Sequence, residues 1–155
     1  MANIKLSPHL VVAAGDRAIA FYQAAFGATE VSCHKDGRDK IVHADLLLDG
    51  FAFSLADENP EWNALGPIAR GGSPVVMTLS VDADVDALWG RAVAAGASVI
   101  YPIADQFYGA RSGRIADPFG HQWMITMETE KISDEEIHRR MLAWEAEHAA
   151  KSSAS

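Results

Sequence analysis

The chain is 155 residues long, with a formal net charge of −8, an apolar fraction of 49% and a charged fraction of 22%. That length fits one domain, or two small halves that share a core. No apolar run approaches the roughly 18 residues that suggest a membrane span, and no signal peptide is visible. The acidic balance argues against nucleic-acid binding, which needs a positive surface. The single cysteine, Cys33, excludes an internal disulfide and fits a reducing compartment, so we expect a cytoplasmic protein.

The first half of the chain is predicted to hold a strand, a helix and three further strands. Residues 6–12 form a short apolar run, and Asp16 is positioned to cap the helix that follows. Apolar residues on one face of this helix recur at helical spacing, and glycine ends it. Three strands with turn signals between them follow, at residues 29–34, 41–48 and 51–55.

The second half repeats this order. Strand, helix and strand are predicted at residues 75–81, 84–95 and 98–101, and the turn Asp117-Pro118-Phe119-Gly120 joins two last strands, 111–117 and 122–127. Val12 and Gly27 align with Val81 and Gly96 at one constant spacing. An internal duplication fixes which residues occupy equivalent sites.

The duplication predicts an α+β fold of two tandem βαβββ modules, with half-barrel sheets, helices outside and a cavity between the concave faces. We assign module 1 to about residues 4–56, a linker to 57–74 and module 2 to about 75–130, within a single domain 1–130. A C-terminal helix is predicted at 131–150, begun by a capping box of Ser133 and Glu136, and a disordered tail at 151–155. This helix must pack on its own domain or on a partner chain.

Strand alternation predicts which side chains enter the cavity. On this basis the lining is moderately polar and consists of His9, His43, Asp45, Ser54, Thr78, Gln122 and Met124.

Two segments point to a family: Tyr-Gly-Ala-Arg-Ser-Gly-Arg at residues 108–114 and Asp-Pro-Phe-Gly-His-Gln-Trp at 117–123. Together with the duplication they resemble the glyoxalase/bleomycin resistance/dioxygenase (vicinal oxygen chelate) superfamily, and more narrowly its PhnB-like branch, over about residues 6–137. The resemblance implies a homodimer and often a divalent metal, held by one residue from the first and last strand of each module. Those positions are His9, Ser54, Thr78 and Met124 here.

Only His9 among these four is a good ligand for a divalent transition metal, so a degenerate metal site without a cofactor is expected and a divalent metal is disfavoured. The resulting hypothesis is a protein that binds a small aromatic or anionic molecule, with neither nucleic acid nor membrane as a partner. Its candidate ligand-binding residues are Trp62, Phe107, Tyr108, Arg111, Thr78 and Gln122. For Phe53 and Trp123 a place in the core, and for Arg114 a solvated surface position, are the alternatives to a binding role.

The second hypothesis is an enzyme. A metal-dependent lyase, isomerase or dioxygenase of the superfamily could rebuild its site from His9 with His43 and Asp45, if the two histidines lie close across the sheet. Without a metal, either histidine could be a general base, oriented by Asp45.

Overall fold

The computed structural model of the protein describes residues 1–154, and two four-stranded sheets form its framework. Module 1 contains β1 (His9–Val12), α1 (Gly15–Phe26), β2 (Thr29–Lys35), β3 (Ile41–Leu48) and β4 (Phe51–Asp57). Module 2 contains β5 (Val76–Val81), α3 (Val85–Ala94), β6 (Ser98–Gln106), β7 (Ala110–Ala116) and β8 (Gln122–Glu128). The linker holds a 3₁₀ turn (Pro60–Trp62) and the short helix α2 (Pro67–Arg70), and α4 (Asp134–Ser152) ends the chain. The predicted βαβββ order is confirmed in both modules.

Both sheets have the same topology, with strand orders β1-β4-β3-β2 and β5-β8-β7-β6. The first strand of each module pairs in parallel with the last, and the other neighbours are antiparallel. His9 lies opposite Ser54, and Thr78 lies opposite Met124 in the second sheet. The sequence duplication is therefore a duplication of strand register, and β1 and β5 are open sheet edges.

The two modules meet through their helix-covered faces. Ala44, Leu46 and Leu55 are fully buried, because alternate residues of β3 and β4 face the helices. On the same side, Phe53 packs against Trp123 of β8 with ring centroids 6.3 Å apart, and Phe26 of α1 lies 4.9 Å from that indole. The concave faces, on the opposite side of each sheet, therefore point away from this contact. The sequence instead predicted that the concave faces would meet, and within one chain they do not.

A buried carboxylate ties the modules together. Tyr22 of α1 donates a hydrogen bond from its hydroxyl to Asp117 at 2.6 Å, and the Trp123 indole N–H donates to the same oxygen at 2.9 Å. The other carboxylate oxygen accepts the backbone N–H groups of Phe119 and His121, each at 3.0 Å. Burial and the neighbouring Asp117 raise the pKa of Tyr22, so its phenol stays protonated and remains a donor.

The start of α1 differs from the sequence prediction. The residue before the helix is Ala14, which provides no side-chain cap, and Asp16 instead pairs with Lys35 at 3.0 Å. The distant Asp57, at the end of β4, accepts the Gly15 N–H and also binds the Ile41 N–H, both at 2.7 Å. A carboxylate from another strand thus satisfies a helix donor that a local cap would usually bind.

The C-terminal helix α4 packs on its own domain at its first half. The Ser133 hydroxyl accepts the Glu136 N–H as predicted, but the Glu136 carboxylate binds Arg139 and Arg140 instead of completing the capping box. These two guanidiniums lower the pKa of Glu136 to about 2. Trp144 lies 5.8 Å from the Phe107 ring. The helix continues to Ser152, into the predicted disordered tail, and Ser155 lies outside the described residues.

No helix within residues 1–154 is long and apolar enough to cross a membrane.

Replacement of Tyr22 by Phe tests the bridge between the modules. The change removes one donor from a buried carboxylate, so the free energy of unfolding should fall by about 1.5–3 kcal/mol. Urea denaturation followed by tryptophan fluorescence measures this loss. Tyr108→Phe is the matched control, because the Tyr108 hydroxyl makes no hydrogen bond among residues 1–154. Equal stability of the two variants would contradict a bridging role for Asp117.

Candidate functional site

A row of polar side chains crosses the concave face of the first sheet. The strand register aligns His9 of β1, Ser54 of β4, Asp45 of β3 and Ser32 of β2. Short polar contacts join the neighbouring side chains at each end of this row. The His9 Nδ1 lies 2.7 Å from the Ser54 hydroxyl, and the Ser32 hydroxyl donates to Asp45 at 3.2 Å. Four residues of the predicted cavity lining, His9, His43, Asp45 and Ser54, are therefore neighbours on one face.

The two histidines are close, as the enzyme hypothesis required. Their rings are nearly parallel, with an 11° interplanar angle and centroids 5.7 Å apart. The His43 Nε2 lies 2.9 Å from an Asp45 oxygen. Burial, followed by the neighbouring His43, lowers the pKa of His9, and Asp45 partly opposes this shift. His9 is therefore largely unprotonated at neutral pH, the state in which a histidine accepts a proton.

The four positions at which the superfamily holds a metal form two register pairs. His9 and Ser54 lie together in the first sheet, and Thr78 and Met124 lie together in the second. Hydroxyls and a thioether are poor ligands for a divalent transition metal. Within residues 1–154, no group of three or more His, Cys, Asp or Glu side chains converges as a metal site would require. The side chains at these positions do not fit the metal that the fold is known for.

The aromatic candidates occupy three different places. Trp62, in the linker, is 75% exposed. Phe107 and Tyr108 lie in the β6–β7 turn and contact each other edge to face, and Phe107 also contacts α4. Phe53 and Trp123 are 5% and 3% exposed and belong to the core. The structure does not bring Trp62, Phe107 and Tyr108 into one cluster.

An apolar cleft of about 590 Å³ lies along the open edge of β5. That volume is within the usual range for small-molecule pockets. Thr78 contributes to its wall, and the apolar part of the wall includes Phe26, Phe51, Phe53, Met77 and Leu88. Sequence reasoning missed Phe51 and Met77, since a strand pattern does not reveal which sheet edge stays unpaired. Gln122, like Met124, is half-buried in β8 and lies on the concave side, opposite to Trp123.

The two arginines of β7 lie on opposite faces of the second sheet. Arg111 points to the helix side, where its guanidinium binds Asp86 of α3 at 2.7 Å and Asp105 at 3.3 Å. Arg114 lies on the concave side beside Met124, with its guanidinium carbon 5.2 Å from the centre of the Tyr101 ring. Arg114 makes no hydrogen bond or ion pair within residues 1–154. The alternation of β7 was the signal that could have separated these two arginines.

Comparison with known proteins agrees with this architecture. Residues 6–125 match the family model of the Glyoxalase/Bleomycin resistance protein/Dioxygenase superfamily. The chain belongs to this superfamily. The fold and the paired register positions define that class of protein, and the relatives below do not narrow it to one activity.

Two relatives are mycobacterial. An uncharacterized protein of Mycobacterium bovis is 40% identical over 139 residues, which cover 88% of this chain and 91% of that protein. An uncharacterized protein of Mycobacterium tuberculosis is also 40% identical, over 88% of this chain and 81% of its own length.

Solved structures share the fold. Protein PA1353 from Pseudomonas aeruginosa is 26% identical with a TM-score of 0.66, over 83% of this chain and 100% of that chain. TioX from Micromonospora sp. ML1 is 25% identical with a TM-score of 0.61, over 84% and 100%. The fosfomycin resistance protein FosX from Listeria monocytogenes is 18% identical with a TM-score of 0.65, over 88% and 99%, which is a likeness of fold alone.

Replacing the two titratable neighbours of His9 on the first sheet should shift its pKa in opposite directions. His43→Gln removes a neighbour that lowers the pKa of His9, so that pKa should rise, whereas Asp45→Asn removes a neighbour that raises it, so that pKa should fall. Two-dimensional NMR of the imidazole signals across a pH titration measures both shifts. Asp86→Asn, in the other module, serves as the control and should leave His9 unchanged. Shifts of the same sign in both variants would refute this arrangement.

Proposed function

We propose that this protein is a cytoplasmic homodimer of the superfamily that binds a small organic molecule on its concave sheet faces without a metal. One observation carries the proposal. The duplicated sheets keep the strand pairing at the four metal positions of the superfamily, with His9 opposite Ser54 and Thr78 opposite Met124. The side chains at these positions, however, are not the donors of a metal site. Such a site retains a shaped, polar surface that can recognise a ligand by hydrogen bonds and packing.

The way the modules pack supports the proposed homodimer. Their helix-covered faces meet within one chain, so each concave face is left uncovered and could form one side of a binding site. A second copy, related by a twofold axis, would oppose the first sheet of one chain to the second sheet of the other and enclose both faces. Leu47 of β3 shares the concave face with Asp45, and its 36% exposed side chain is an apolar group that such an association would cover.

We also propose that the chain belongs to the PhnB-like branch. The two segments that support this placement have structural roles here. Arg111 of the Tyr-Gly-Ala-Arg segment ties β7 to α3 through Asp86, and Asp117 of the Asp-Pro-Phe-Gly turn ties the two modules together. Because both residues stabilise the fold, they leave the ligand to be selected by other side chains.

A second candidate function is metal-free proton transfer. It is favoured by the 2.9 Å contact between His43 and Asp45 and by the lowered pKa of the adjacent His9. In this mechanism His9 would accept a proton from a bound substrate, and Asp45 would fix the orientation of the His43 ring beside it. A compound that is turned over by the protein, with full activity in His9→Ala, would exclude this role for His9.

Metal content and ligand binding test the main proposal together. We expect the protein, purified without chelator or metal affinity, to hold far less than one Ni, Zn, Mn or Fe per chain by elemental analysis. A thermal-shift screen of aromatic and anionic compounds should then give ligands whose effect is the same with and without EDTA. Light scattering should report twice the mass of one chain. About one metal ion per chain, lost in His9→Ala, would contradict the proposal.

The exposed Trp62 allows binding to be separated from folding. Trp62→Ala should weaken the best ligand of the screen several-fold, and should change the free energy of unfolding by no more than about 0.5 kcal/mol, as is usual for surface positions. Ile68→Ala is the control, since Ile68 is also exposed in the linker. Equal ligand affinity in both variants, measured by calorimetry, would remove Trp62 from the site.

A further inference from the structure

We propose that the bound molecule is a small organic anion and that Arg114 holds its carboxylate or phosphate group on the concave face of the second sheet. This inference rests on the proposed function and specifies the chemical class of its ligand. It also replaces Arg111, the anion-binding candidate from the sequence, by the arginine on the opposite face of the same strand.

The first observation is a pair of unsatisfied polar groups. Within residues 1–154, the buried side-chain polar atoms without a hydrogen-bond partner are the Arg114 Nε and the Ser112 hydroxyl. They are two residues apart in β7 and therefore share the concave face. A buried donor left without a partner is costly, and native proteins rarely keep one unless something else satisfies it. The Ser112 hydroxyl is fully enclosed by the protein, so a ligand would reach only Arg114, whose terminal guanidinium nitrogens are neither enclosed nor hydrogen-bonded within residues 1–154.

The second observation concerns charge. The chain has 21 acidic and 13 basic residues, so carboxylates are not scarce. The two other partly buried arginines use them: Arg111 binds Asp86 and Asp105, and Arg140 binds Glu130 and Glu136. Arg114 instead keeps its charge without a carboxylate. A guanidinium offers a planar fork that matches a carboxylate or phosphate with two parallel hydrogen bonds.

The third observation is the position of Arg114 in the duplicated site. It lies opposite Met124, which lies opposite Thr78. Asp45 has the same place in the first sheet, opposite Ser54 and thus next to His9. The carboxylate at that place is satisfied by His43 and Ser32, whereas the guanidinium is not. The Tyr101 ring faces the guanidinium at 5.2 Å and limits its movement.

The test follows the Arg114 Nε–H signal by NMR during titration with benzoate, phenyl phosphate or the neutral analogue benzamide. Benzoate or phenyl phosphate should shift this signal saturably, and benzamide should bind at least tenfold more weakly, in keeping with the strength of hydrogen bonds between charged groups. The preference between benzoate and phenyl phosphate identifies the anionic group. Arg114→Met should weaken the preferred anion at least tenfold, whereas Arg111→Met, which removes the same charge from the helix side, should retain it.

Thermal unfolding without ligand separates recognition from a structural role. Methionine resembles arginine in length and has no donor to leave unsatisfied, so Arg114→Met should keep or raise the Tm while anion binding is lost. Arg114→Lys, which keeps the charge without the fork, should bind with intermediate affinity. A lowered Tm with unchanged anion affinity would overturn the inference.

The remaining outcomes are also decisive. Equal binding of benzamide, or full anion binding by Arg114→Met, would overturn the anion inference and leave small-molecule binding standing. Binding of none of the three compounds would overturn the inference, and failure of the broader ligand screen would in addition refute the proposed function. If Asp45→Asn shifts the Arg114 signal and anions do not, then Asp45 of a second copy neutralises Arg114, and the inference is wrong.

Discussion

The rest of the structure depends on the buried carboxylate of Asp117. It accepts four hydrogen bonds: from a phenol of module 1, from an indole of module 2, and from two backbone groups of the turn between β7 and β8. A carboxylate that is only 4% exposed is tolerated because each oxygen has two donors. Since the donors come from both modules, one group fixes the last hairpin and the relative position of the two halves.

This junction decides which surfaces remain for binding. The aromatic rings around Trp123 pack the helix-covered faces together, and the two concave faces stay free. The close approach of α3 to the second sheet depends on Gly113 in β7, because a Cβ atom there would lie 2.6 Å from the Trp89 ring and 2.7 Å from the Ile103 nitrogen. On the helix side of β7, the packing at Gly113 therefore leaves no room for a side chain. Arg114 lies on the concave side of the same strand and is not restricted by the packing of α3.

Much of the fold could be predicted from the sequence, because a duplication is visible as repeated spacing and register follows from it. His9, Ser54, Thr78 and Met124 fall in the predicted equivalent pairs. The start of α1 was not predictable, because its Gly15 N–H is satisfied by Asp57, which lies far away in the sequence. The roles of Arg111 and Arg114 depend on which face has acidic neighbours, and the cleft depends on how two modules pack. Such information lies in tertiary contacts and not in local patterns.

The open edges of β1 and β5 also bear on how the protein avoids unwanted assembly. An unpaired edge strand offers backbone N–H and C=O groups to a strand from any other molecule. Here β1 has only four residues, with Pro8 directly before it, and Pro74 stands two residues before the start of β5. Proline has no N–H to donate, so each edge loses a donor where strand pairing with a neighbour would begin. Addition of a strand from another molecule is thus made less favourable at the two edges that border the proposed binding faces.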